Sequence, residues 1–114
     1  MSIKNERISD ALIEEISYII SNKVKNKDVN FVTITDVKVS SDLGFAKVYF
    51  TVLDETKIDT TKKALTKSAG FIRHELRDRV DIRQIPELTF IYDESINEAK
   101  KIEDIIDKLH KDGL

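Results

Sequence analysis

The chain has 114 residues, a net charge of −2 and 35% charged side chains, the profile of one soluble domain with a modest core. It contains no cysteine, which excludes disulfides and thiolate zinc sites. The N-terminal MSIKNERISD has no apolar signal core, and no apolar run approaches the roughly 18 residues a membrane span needs, so a cytoplasmic protein without a membrane partner is expected.

Residues 5–25 place Ile8, Leu12, Ile16, Ile19 and Ile20 at helical spacing, which predicts an amphipathic helix. KNKDVN (25–30) is a polar break. FVTITDVKVS (31–40) is rich in β-branched residues and reads as a strand. Its alternation changes phase between Val32 and Ile34 on one side and Val37 and Val39 on the other, so a bulge is expected near Thr35–Asp36. SDLG (41–44) signals a turn. FAKVYFTVL (45–53) alternates Ala46, Val48, Phe50 and Val52 against Lys47, Tyr49 and Thr51. The short loop between these strands predicts an antiparallel hairpin. DETKIDTT (54–61) is a polar loop that offers Asp59 or Thr60 as a helix cap.

From about 60 to 80, Leu65, Ala69, Ile72, Leu76 and Val80 form a helical stripe that passes straight through Gly70. A glycine inside a helix costs about 1 kcal/mol relative to alanine. The expectation is therefore two helical halves with a break at Gly70. Such a break would turn Phe71 toward the core and give the second half a free N-terminus, where anions bind well. LTFIYD (88–93) is a third strand, with Pro86 just ahead of it, where a missing N–H does least harm. Ser95 and Glu98 have the spacing of a capping box. They would open a C-terminal helix over 95–111 with Ile96, Ala99, Ile102, Ile105, Ile106 and Leu109 on its apolar face. The sum is one α+β domain over 1–114, α-β-β-α-(kink)-α-β plus a C-terminal helix. Its three-stranded sheet is covered by helices, and its second and third strands can pair parallel across the crossover.

Catalytic signals are thin. His74 and His110 each stand alone on a predicted helix, and no Walker, dinucleotide or nucleophile-elbow motif occurs. Asp42 reads as a turn residue, and Asp93 with Glu94 as a strand end beside a helix N-terminus. A small hydrolase built on these carboxylates would need a pocket gathering at least two of them. The expected protein is not an enzyme and has no cofactor.

Charge is distributed unevenly. Residues 62–83 carry seven basic against three acidic side chains, and residues 93–112 four against seven. Local fields of this kind attract ligands. Lys63 and Lys67 share one helical face, and Arg73 and Arg77 share another. With Gly70 between them they suit a phosphate backbone, although a solvated face with pairs such as Glu75–Arg79 is the plainer reading.

The chain also resembles the bacterial ribosome-binding factor A family along nearly its whole length. ERISDALIEEISYII is similar to the family's first helix, with Arg7 at its characteristic arginine. VTITDVKVSSDLGFAKVYFTVL resembles the two-strand block, SAGFIRHEL the helix-break-helix, and RQIPELTFIYDESI the last-strand signature with Pro86-Glu87-Leu88. The resemblance implies a type II KH-like fold in which an Ala-x-Gly kink replaces the usual glycine loop. Those positions here read Ser68-Ala69-Gly70, with serine for the first alanine. It further implies a non-enzymatic assembly factor that binds the immature small ribosomal subunit and its rRNA, supports late processing, and matters for growth in the cold. Other assembly factors stay open as partners, and a monomer is expected. The RNA surface would comprise Lys63, Lys67, Ser68, Ala69, Gly70, Arg73, Arg77 and Arg83. The alternative is a protein-interaction module using the acidic C-terminal helix or a sheet edge.

Overall fold

Leu12, Ile16 and Ile19 recur on one side of the first helix, α1 (Ile3–Asn22), and all three are fully buried. The computed structural model describes residues 3–29 and 31–95. Where α1 ends, the amides of Lys23 and Val24 both donate to the carbonyl of Ile19. A 3-10 turn (Lys27–Val29) buries Val29 and leads into β1 (Val32–Val39).

β1 pairs antiparallel with β2 (Phe45–Val52), from Val32↔Val52 to Val39↔Ala46. The register shifts between Ile34 and Asp36, where the sequence asks for a bulge. The extra residue brings Val37 and Val39 to the same face as Ile34, and all three are buried. A 3-10 turn (Glu55–Lys57) and the crossover helix α2 (Ile58–Arg77) then lead to β3 (Glu87–Tyr92), which pairs parallel with β2. The sheet order is β1-β2-β3. Its inner face supplies Ile34, Val37, Val39, Ala46, Val48, Phe50, Leu88 and Phe90 to a single core shared with α1 and α2. This is the α+β, KH-like arrangement expected, with both described helices on one side of the sheet.

Four expectations need correction. First, α2 is one helix through Gly70, whose φ is not positive, so no second helix N-terminus exists there. Leu65, Ile72 and Leu76 are fully buried on both sides of the glycine. Burying each contributes about 1.5–3 kcal/mol, which outweighs the ~1 kcal/mol glycine cost. Second, Phe71 does not enter the core; without a break it stays on the helix surface, 40% exposed.

Third, the caps differ. α2 begins one residue earlier than Asp59, at Ile58, directly out of the 3-10 turn. That turn is capped by Asp54, which accepts from the Thr56 amide (3.0 Å) and hydroxyl (2.7 Å). The Ser95–Glu98 capping box lies partly outside the described residues; within them, Asp93 accepts from the Ser95 amide (2.9 Å) and hydroxyl. Fourth, Arg79 lies in the turn just past α2, reaches Glu15 on α1 (3.3 Å) and lies 4.3 Å from the Tyr18 ring; it ties that turn to α1 instead of pairing with Glu75 along a helix. The expected C-terminal helix over 95–111 lies, from residue 96 on, outside the described residues.

Candidate nucleic-acid interface

Helical geometry decides which side chains of α2 can act together. Residues 63, 67, 70, 74 and 77 are spaced by four, three, four and three, so they line one stripe. All five of these residues, Lys63, Lys67, Gly70, His74 and Arg77, are exposed. Opposite them, Thr61, Ala64, Leu65, Ile72 and Leu76 are buried, and this anchoring fixes the stripe outward along the full helix. Lys62 is exposed beside Lys63, and the two lysines line, with Lys67, Asn26, Asp28 and Asp59, an open cavity of about 680 Å³.

Gly70 sits at the centre of the stripe. A Cβ built on it would meet nothing within 4 Å. Neither packing among the described residues nor backbone conformation therefore requires glycine there. What glycine does provide is a helix surface that another molecule can approach down to the backbone. Phe71 stands next to it, half-exposed, and adds a flat apolar surface beside the charges.

The other expected site residues have different places. Arg73 is half-buried and committed: its Nε donates to the Pro86 carbonyl (3.0 Å) and its Nη2 to that of Ile85 (3.1 Å). It ties α2 to the segment that enters β3. Ser68 and Ala69 are half-buried on the core-facing flank, and Ala69 packs against the core. Arg83 is exposed in the loop between α2 and β3. It lines a second open cavity of about 820 Å³ with Arg7, Arg79, Glu14, Glu15 and Asp81, where basic and acidic groups balance. The structure thus gathers Lys63, Lys67, Gly70 and Arg77, and separates Arg73, Ser68, Ala69 and Arg83 from them. His74 and Phe71 also lie on the exposed side of α2, although the sequence reading turned Phe71 toward the core and gave His74 no role. The signal for His74 was its spacing of four from Gly70.

The carboxylates do not converge. Asp42 lies in the β1–β2 turn, accepting from the Ser40 hydroxyl (2.7 Å) and the Gly44 amide (2.9 Å), which hold it below its ordinary pKa. The Gly44 carbonyl accepts from the Glu87 amide at the start of β3, whereas Asp93 follows the end of β3, at the opposite end of the sheet. Neither of these two cavities is lined by two of Asp42, Asp93 and Glu94. Among the described residues no cluster of His, Asp or Glu could hold a metal ion, and no helix is long and apolar enough to cross a membrane.

An exposed basic helix set across a β-β-α-β mixed sheet defines a small KH-like α+β domain. Comparison with known proteins narrows this. The sequence pattern described as ribosome-binding factor A matches residues 4–106. Ribosome-binding factor A of Staphylococcus epidermidis is 52% identical over 111 residues, covering 96% of each chain. Among solved structures, the crystal structure of ribosome-binding factor A from Thermus thermophilus superposes with a TM-score of 0.71, covering 77% of this chain and 94% of that one at 20% identity. A Thermus thermophilus ribosome binding factor A fitted into the cryo-EM map of a 30S complex gives a TM-score of 0.61 at 22% identity, covering 83% of this chain and 97% of that one. The chain belongs to the ribosome-binding factor A family.

Proposed function

We propose that this protein is a non-catalytic assembly factor that binds the small ribosomal subunit through the exposed stripe of α2. The observation that carries the reading is Gly70, open to solvent at the middle of a line of Lys63, Lys67, His74 and Arg77. The family name and the 30S complex of the Thermus relative supply the partner. The lysines and Arg77 contact phosphates, which position the protein without reading sequence. Phe71 offers a stacking surface for an unpaired base, a contact suited to single-stranded or looped RNA. Arg83 joins only where the RNA extends past the end of α2. Arg73 supports the surface from behind by holding the β3 entry in place. The cellular role is late maturation of the subunit's rRNA, with a greater need at low temperature.

The test is subunit binding by the double variant Lys63→Glu/Lys67→Glu. Both side chains are exposed, so the fold should be unchanged by circular dichroism. Affinity for purified small subunits should fall at least about tenfold, since two phosphate contacts become repulsive. In a deletion strain, the wild-type chain should restore cold growth and rRNA processing and the double variant should not. Unchanged subunit affinity would remove the helix stripe from the interface.

A further inference from the structure

A second surface lies away from the α2 stripe. The first half of α1, the β1–β2 turn and the loop between α2 and β3 border the open cleft of about 820 Å³, within the size range of ligand sites. Its walls are pinned to one another. Arg79 ties the loop to Glu15 of α1 (3.3 Å). Gln84 Nε2 donates to the Asp42 carbonyl in the turn (2.8 Å), and Arg73 holds the carbonyls of Ile85 and Pro86 where the loop enters β3. The cleft is therefore formed before any partner arrives.

Its floor is apolar, with buried Leu12 from α1 and buried Leu43 from the turn. Leu43 has a φ of 61°, a conformation leucine rarely adopts. The rim carries four charges: Arg7 and Glu14 on α1, Asp81 and Arg83 on the loop. None of them has an ion-pair partner among the described residues. Arg7, Ala11 and Glu14 fall at i, i+4 and i+7, so this side of α1 reads positive, small, negative. All three are exposed. Two helical turns separate the charges, about 10 Å along the axis, which is the length of roughly three residues of extended chain.

The mixed signs select the occupant. A phosphate backbone is negative at every step and would meet Glu14 and Asp81 as well as the arginines, a like-charge contact that suppresses wrong partners. The α2 stripe differs, because none of its five positions is acidic. An extended polypeptide satisfies both signs. An acidic side chain faces Arg7, a basic one faces Glu14, and the residue between them points the opposite way, down onto Leu12 and Leu43. We infer that this cleft binds an extended segment of a small-subunit protein in which an apolar residue stands between an acidic and a basic one. The inference rests on the reading of this chain as a subunit-binding factor and gives that factor two contact faces, RNA on α2 and protein in the cleft.

The chain has no cysteine, so Ala11→Cys carries a single photoreactive benzophenone in the full-length protein. The labelled chain is mixed with purified small ribosomal subunits and irradiated. The expected adduct survives ribonuclease, has the added mass of one subunit protein, and maps to a segment with acidic, apolar and basic residues in succession. Reversing the wall with Arg7→Glu and Glu14→Arg keeps the net charge and good helix formers. With the fold checked by circular dichroism, this reversal should lower the adduct yield at least about tenfold. An adduct to rRNA or to a second copy of the chain, no adduct at all, or an unchanged yield after the reversal would overturn the inference while leaving the α2 surface standing. Wild-type chain that fails to co-sediment with the subunits would overturn it together with the subunit-binding reading.

Discussion

Arg73 and Arg77 stand one turn apart on α2 and do different work. The Arg73 guanidinium donates to two backbone carbonyls, those of Ile85 and Pro86, while Arg77 is exposed at the helix end. A hydrogen bond from a charged donor is worth about 1.5–3 kcal/mol, so Arg73→Ala should lower unfolding stability by that order. Arg77→Ala should stay within about 0.5 kcal/mol of wild type. Urea unfolding of the two variants checks this; equal stabilities would mean that the Arg73 bonds contribute nothing. The sequence could not separate the two arginines. Their spacing puts them on one face, and the carbonyls that claim Arg73 lie twelve and thirteen residues further along, brought close only when β3 docks. Gly70 was legible as a position that needs explaining, but the spacing alone suggested a broken helix where there is an open one.

At the scale of elements, local pattern was the reliable guide. The phase change in β1 predicted its bulge, and the crossover length allowed the parallel β2–β3 pair. Ends were less legible, because several polar residues compete for each one. Asp54 caps ahead of Asp59, by holding two donors of one residue. Asp93 gives a pH signature. The hydroxyls of Ser95 and Thr35 donate to its carboxylate and lower its pKa from the ordinary 3.8. A carboxyl depressed in the folded state stabilises fully above its unfolded pKa and loses that contribution as pH falls through the folded value. Asn at this position can still accept but does not titrate. The stability advantage of wild type over Asp93→Asn should therefore shrink as pH drops below about 4, measured by thermal melts across that range. A constant difference would show that the Thr35–Asp93–Ser95 link has no energetic weight.

The whole molecule joins a net charge of −2 to a locally basic helix. The basic excess lies within residues 62–83, most of which form α2, and a local field of this kind acts independently of the chain's total charge. The core fixes that surface: α1 and the inner sheet face bury one side of α2, and the opposite side has to face a partner or water. Gly70 distinguishes those two. For a helix meant only for water, glycine is a defect; for one that a phosphate backbone approaches closely, it is a requirement. Gly70→Gln separates the cases in one protein. Glutamine has a better helix propensity, by roughly 0.5–1 kcal/mol, and open space to enter, so thermal stability should hold or rise. Binding of the same variant to purified small ribosomal subunits should be lost. A variant that is at least as stable as wild type and binds the subunit equally well would contradict the assignment of α2 as the RNA surface.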